Sequence, residues 1–276
     1  MGLQRRNSDL CACALLLACI GRVAGAQDGS GTARNVDDQD RPQSVFVADA
    51  KAYVTAPLHW DQKDWLYFGG TLAAIAAAHR YDDQVRTHFT TGQYAGNLTR
   101  PSSSDAKDAI PAVAAVAATW FYASLIRDSN GRREAGDMVE SAVLSSAASF
   151  VFKLGASRPR PDETADSNRW SSGGSSFPSV HSAAAFAIGT VLAESGNDDV
   201  RWIRRVLGYG LGAATSYERL KHNVHWLSDT VAGAGLGIAT AHFVMNRHGH
   251  PGYLSGFSVM PIDGGVMLTY STTLSQ

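Results

Sequence analysis

SSFPSVHSAAAFAIGT, residues 175–190, sets a Pro, a Ser and a His directly ahead of an alanine-rich apolar run. The run reads as a buried helix that starts near Ser179, whose hydroxyl suits the free amides of a first turn. An ionisable imidazole, His181, then stands at the mouth of that helix. Taken alone, His181 is either an accident of the first turn or a functional group, and the choice depends on what else the chain brings.

Outward from this stretch, further apolar segments of helix length follow one another at 64–79, 109–126, 136–154, 201–219 and 228–246. Breakers separate them: TRPSSSD at 99–105, the long Ser/Gly/Pro-rich stretch 158–178, and ESGNDD at 194–199. Only 109–126 and 230–245 approach the length of a membrane span, while other segments carry charges such as Glu140, Arg204 and Arg205. Alanine and glycine dominate the long runs, which suits tight helix packing. The expectation is therefore a soluble all-α domain, a compact bundle of about six core helices. The tail FSVMPIDGGVMLTYS, 257–271, alternates apolar residues around Asp263-Gly264-Gly265 and predicts a small C-terminal β-hairpin.

At the other end, Arg5 and Arg6 precede an apolar stretch, 10–20, and then Ala24-Gly25-Ala26. This is the pattern of a secretory signal peptide over 1–26, with a lipid-anchored start at Cys19 as the lesser option. The chain's three cysteines, Cys11, Cys13 and Cys19, all lie in that leader. Its removal excludes disulfides, thiolate metal sites and cysteine nucleophiles together. Residues 27–43 are polar and lack aromatics, as a disordered linker does, and one large domain is expected over 44–276. With 24 Lys and Arg against 25 Asp and Glu in 276 residues, the charge balance carries no nucleic-acid signature.

His181 has company. Upstream, in KLGASRPRP, Lys153 is followed after six residues by Arg160-Pro161; downstream, in YERLKHNVHWLSD, Arg219 is followed after five residues by His225, with Asp229 four further on. His225 and Asp229 at i and i+4 share a helix face, so the carboxylate can accept the Nδ1 proton and leave Nε2 as a free lone pair. Such a nitrogen is a nucleophile or a metal ligand. Converging on one point, Lys153, Arg160 and Arg219 would trap a tetrahedral oxyanion, joined by the Ser179 hydroxyl and the amides of Val180 and His181 at a helix N-terminus.

Lys-x6-Arg-Pro, Pro-Ser-x-His and Arg-x5-His-x3-Asp, in that order over 153–229, resemble the type 2 phosphatidic acid phosphatase superfamily, which includes bacterial acid phosphatases, lipid phosphate phosphatases and vanadium haloperoxidases. The resemblance implies that His225 is the nucleophile of a phosphohistidine mechanism, Asp229 its orienting carboxylate and His181 the general acid. Lys153, Arg160, Ser179, Val180 and Arg219 would bind phosphate, with no cofactor and no metal. Two departures stand out: Val180 where the family commonly has Gly, and Glu218 before Arg219 where it commonly has Ser.

The implied activity is an exported, periplasmic phosphatase of phosphate monoesters, lipid or soluble, or of pyrophosphates; lipid-anchored and membrane-embedded placements are the lesser readings. The expected partner is that phosphorylated small molecule or lipid, with peripheral membrane contact allowed and no nucleic acid. The alternatives are a vanadium-dependent haloperoxidase and a non-catalytic phosphate-binding envelope protein. Lesser features read as structural: His248-Gly249-His250 as a polar loop without nearby acids, His222 as a solvent-exposed side chain, and Asn97-Leu98-Thr99 as a glycosylation pattern. The stretch 164–176, with Trp170, joins the first two motifs and is expected to overhang the pocket as a lid.

Overall fold

A computed structural model describes residues 41–91, 104–196, 198–249, 257–262 and 265–270. The leader 1–26, most of the expected linker, Asn97-Leu98-Thr99 and His250 lie outside the described residues. The described chain is helical throughout its body: α1 Arg41–Thr55, α2 Gln62–His79, α3 Asp82–Thr90, α4 Ser104–Leu125, α5 Ser129–Ala156, α6 Val180–Glu194, α7 Arg201–Lys221 and α8 Leu227–Arg247. The expected C-terminal β-hairpin, over 257–271, is no part of that helical body. Assignment to the all-α class rests on the helices alone.

The six expected helices correspond to α2 and α4–α8. Two more join them. α1 begins at Arg41, so Arg41 to Gln43 are helical rather than linker, and α3 is a short polar helix. Neither has the apolar periodicity that marks a helix in sequence: Asp49 and Lys51 interrupt the first, and the second reads DDQVRTHFT.

Local chemistry explains the starts. Asp61 caps α2 by accepting from the amides of Lys63 and Asp64 at 2.8 and 2.9 Å, while Asp64 accepts from the Asp61 amide at 3.1 Å. Ser179 caps α6 through the Ser182 amide at 3.4 Å. α6 is the central helix and packs on α5, α7 and α8. The core joins Met138, Val139 and Ala142 of α5 to Ala184, Ile188 and Val191 of α6 and Ala241 and Met245 of α8. α8 reaches α6 closely because Gly233 and Gly237 face it: a Cβ at Gly237 would lie 2.2 Å from the Ala183 carbonyl oxygen. That approach lets the Ser179 amide donate to the Asp229 carbonyl at 3.0 Å, fastening the start of α6 to the start of α8.

The distribution of large apolar side chains departs from the expectation of a soluble bundle. Alanine, glycine and serine fill much of the interior, including Ser141, Ser145 and Ser149 of α5, all fully buried. The bulky groups point outward instead: Trp65, Leu66 and Phe68 on α2, Phe121 and Leu125 on α4, Val151, Phe152 and Leu154 on α5, and Trp202, Val206 and Leu207 on α7 are exposed. Among the described residues one helix, Ser129–Ala156, is long and apolar enough to cross a membrane, and half of its apolar stretch is buried in the protein.

Candidate active site

The eight residues singled out in the sequence come from four places in the fold. Lys153 lies in the last turn of α5 and Arg160 just beyond it, Ser179, Val180 and His181 form the start of α6, and Arg219 lies in the last turn of α7. His225 stands in the short link before α8, and Asp229 in the first turn of α8. All eight are buried, Ser179, Arg219 and Asp229 completely. Lys153, Arg160, Arg219 and His181 lie near enough for their charges to act on the His225 ring.

His225 is accordingly held well below the usual histidine range, first by burial and then by those neighbouring cations. Its Nδ1 lies 3.5 Å from Asp229 Oδ2, longer than a formed hydrogen bond but with the carboxylate on the correct side of the ring. Asp229 is itself fixed. Its Oδ1 accepts from Arg158 at 2.7 Å, and its Oδ2 from the Trp226 amide at 2.9 Å and from the Ser176 hydroxyl. Burial pushes its pKa up, while Arg158, Ser176 and the Trp226 amide pull the other way.

The two departures from the family pattern resolve in the helices. Val180 is the first residue of α6 and is not among the residues with positive φ, so its amide is presented as a glycine's would be. Glu218 is turned away from Arg219: it lies 3.3 Å from Lys221 and 3.9 Å from His222, with its side chain 41% exposed. The stretch 164–176 is a fixed wall rather than a free flap. The amides of Ser171, Ser172, Gly174 and Ser176 donate to the carbonyls of Ala156, Ser157, Ser157 and Arg158, which ties the loop to the segment it follows.

The sequence reading passed over Arg158, Asp82, Ser176 and Ser228, all buried beside the site. Arg158 looked like one of the six spacers between Lys153 and Arg160, and Asp82 sits 147 residues from Asp229 in a polar helix. A signal did exist for Arg158, an arginine flanked by prolines and small residues with no apolar pattern to assign it to a surface. It is stripped of solvent and stacked between two indoles, 4.4 Å from the Trp170 centroid and 5.1 Å from that of Trp226. Breaking a buried ion pair of this kind by removing one partner typically costs about 3 to 5 kcal/mol.

His248 also has a setting that the sequence hid. Its Nδ1 lies 2.6 Å from Asp137 and its Nε2 3.0 Å from Asp49, with Glu140 3.8 Å away. Asp49, Glu140 and His248 bring ligand atoms within 4.8 Å of one another, but Arg247 also pairs with Asp49, so the cluster is an ion-pair network that already contains its cations. It ties α1 to α5 and to the end of α8. His222 is half-buried rather than exposed.

The family model for the PAP2 superfamily matches residues 134–251, the span from α5 to just past α8. A lipid A 1-phosphatase of Porphyromonas gingivalis is 28% identical over 167 residues, which is 60% of this chain and 35% of that protein. The match thus spans about a third of the relative's length. Among solved structures, a transmembrane PAP2-type phosphatidylglycerolphosphate phosphatase from Bacillus subtilis covers 86% of this chain and 96% of its own, at 16% identity and a TM-score of 0.36.

Proposed function

We propose, from the match of residues 134–251 to the PAP2 superfamily model, that the chain is a member of that superfamily and a membrane-associated phosphatase acting on lipid phosphate monoesters through a phosphohistidine. The observation that carries the reading is the setting of His225: a buried ring whose pKa is pushed down, first by burial and then by the charges of Lys153, Arg160 and Arg219. A neutral imidazole among fixed cations is a nucleophile placed where a dianionic phosphoryl group is drawn.

In the first step His225 Nε2 attacks phosphorus, the P–N bond forms and the ester P–O bond breaks. His181 gives its proton to the departing alkoxide. In the second step water attacks the phosphohistidine, His181 takes the water's proton, and the P–N bond breaks to release phosphate. Lys153, Arg160 and Arg219 with the Ser179 hydroxyl and the Val180 and His181 amides hold the phosphoryl oxygens, and the charge they meet grows in the transition state. Asp229 keeps the Nδ1 proton in place so that Nε2 stays the attacking atom.

Lipid rather than soluble esters are favoured by the outward-facing Trp65, Phe68, Phe121, Phe152, Trp202 and Leu207, which are costly in water and at home against acyl chains. A curated relative that is a lipid A 1-phosphatase points the same way. Membrane association therefore replaces the expectation of a soluble periplasmic domain. In the same reading 1–26 is an export leader, 27–40 a linker, and the C-terminal hairpin an appendage to the catalytic body.

The test is phosphate release from phosphatidic acid in mixed detergent micelles by the full chain, beside a soluble alkyl phosphate, in the presence of EDTA. The expected result is turnover favouring the lipid, abolished in His225→Ala. Equal activity of His225→Ala and parent would overturn the mechanism, and a preference for the soluble ester would overturn the lipid assignment.

A further inference from the structure

Arg158 joins two carboxylates that are far apart in the chain. Its Nη1 donates to Asp229 Oδ1 at 2.7 Å and to Ser228 Oγ at 2.8 Å, and its Nη2 donates to Asp82 Oδ2 at 2.8 Å and to the Ser167 carbonyl at 2.6 Å. Asp82 then closes the circuit on the other side. Its Oδ1 accepts from the Ser228 amide at 2.8 Å and its Oδ2 from the Ser228 hydroxyl at 2.7 Å. Asp82, at the start of α3, lies outside the segment that carries the family match, yet it grips the residue directly before Asp229.

We infer that Arg158 and Asp82 are positioning residues for the His225–Asp229 pair, a relay in which Asp82 fixes the guanidinium, the guanidinium fixes Asp229 Oδ1, and Oδ2 is thereby left facing the His225 ring. The inference rests on the reading of His225 as the nucleophile, but its geometry is independent of that reading. A carboxylate held at one oxygen only can swing about its Cβ–Cγ bond; Asp229 is held at both, and the Arg158 end is itself gripped from two directions. The planar fork, clamped between indole faces, sets the angle at which both acids are met. A lysine at 158 supplies one charge but not that fork, so Arg158→Lys is a disruptive change here.

The relay predicts how His225 responds when a member is removed. Asp82→Asn keeps the shape and an acceptor for the Ser228 amide but withdraws the charge opposing Arg158. Measured on the full chain in detergent, kcat on a phosphate monoester should fall roughly 10- to 100-fold, the range typical when the outer partner of an oriented histidine is lost, with KM changed by less than about threefold since no phosphate ligand has moved. Combined with Asp229→Asn the losses should be strongly sub-additive, because Asp82 acts through Asp229. Nitrogen-15 NMR of the histidine rings supplies a readout free of turnover: His225 should be a single Nδ1–H tautomer in the parent and a mixture in Asp82→Asn and Arg158→Gln. A parent that hydrolyses nothing, with the tautomer shift present, would sink the phosphatase reading and leave the relay standing. An active parent whose Asp82→Asn variant keeps its kcat and its His225 spectrum would overturn the relay. Loss of fold in both Asp82→Asn and Arg158→Gln, seen by circular dichroism, would assign the network to stability alone and overturn it equally.

Discussion

His248 offers a test of the scaffold in which the sign and the size both follow from the structure. Hydrogen bonding to Asp137 leads the effects that raise its pKa from 6.5 to about 9, with burial opposing. A histidine raised on folding contributes stability that is complete below pH 6.5 and is lost as pH rises through about 9. Each pH unit between those values is worth about 1.4 kcal/mol, which bounds the clamp near 3 kcal/mol. A quarter of the side chain is in solvent, so screening brings this to about 1 to 2 kcal/mol. Glu140 is raised to about 7, chiefly by burial, and its cost is in place above that pH. Glu140 completes its titration by about pH 8 in parent and variant alike, so the difference between the two from pH 7 to 9.5 isolates His248. The perturbation is His248→Asn, which can keep a hydrogen bond but cannot titrate. Thermal unfolding in mild detergent, followed by tryptophan fluorescence, should show the parent losing roughly 2 to 8 °C across the interval, while the variant melts lower at pH 7 and stays flat once Glu140 has titrated. Parallel pH dependence of parent and variant would refute the clamp that ties α1 to α5 and α8.

Two further outcomes follow from the site. His181→Ala should cost about 10²- to 10⁴-fold on an alkyl phosphate and far less on nitrophenyl phosphate, whose leaving group departs without a proton; equal proportional losses on the two substrates would take the acid role from His181. Glu218→Gln should leave vanadate inhibition within about twofold of the parent, since Glu218 is turned to Lys221 and solvent, whereas Arg219→Ala should weaken it by more than tenfold, as loss of one partner of a buried charged contact typically does; a large effect of Glu218→Gln would show that this acid does bear on Arg219.

What was legible in the sequence, and what was not, divides along physical lines. The ends of α6 and α8 and the residues of the three motifs could be read because each belongs to a local pattern: a cap before an apolar run, or an i, i+4 pair on one helix face. Arg158 and Asp82 belong to no local pattern. Their meaning lies in a contact between chain segments 76 residues apart, which no periodicity records. The outward-facing aromatics escaped for a different reason. Composition counts Trp202 and Phe152 as apolar but cannot tell which way they point, and an interior of Ala, Gly and Ser leaves no room for them. His248 was misjudged because its acids, Asp49 and Asp137, come from helices that the chain reaches long before it.

The question raised by SSFPSVHSAAAFAIGT was whether His181 is a cap or an acid. The cap is Ser179: its Oγ takes the Ser182 amide at 3.4 Å and is held in place by the Ser182 hydroxyl at 3.1 Å, which Ser216 supports in turn at 2.9 Å. With the cap supplied by another residue, helix formation makes no demand on an imidazole two positions later. The helix does the reverse. The N-terminal dipole of α6 disfavours a cation in its first turn, and burial of the ring disfavours it again. A histidine chosen for stability would not be put there, beside a second buried histidine whose ring feels its charge. Under the proposed mechanism the negative charge of a bound phosphate would favour the protonated imidazole that a general acid at this position requires.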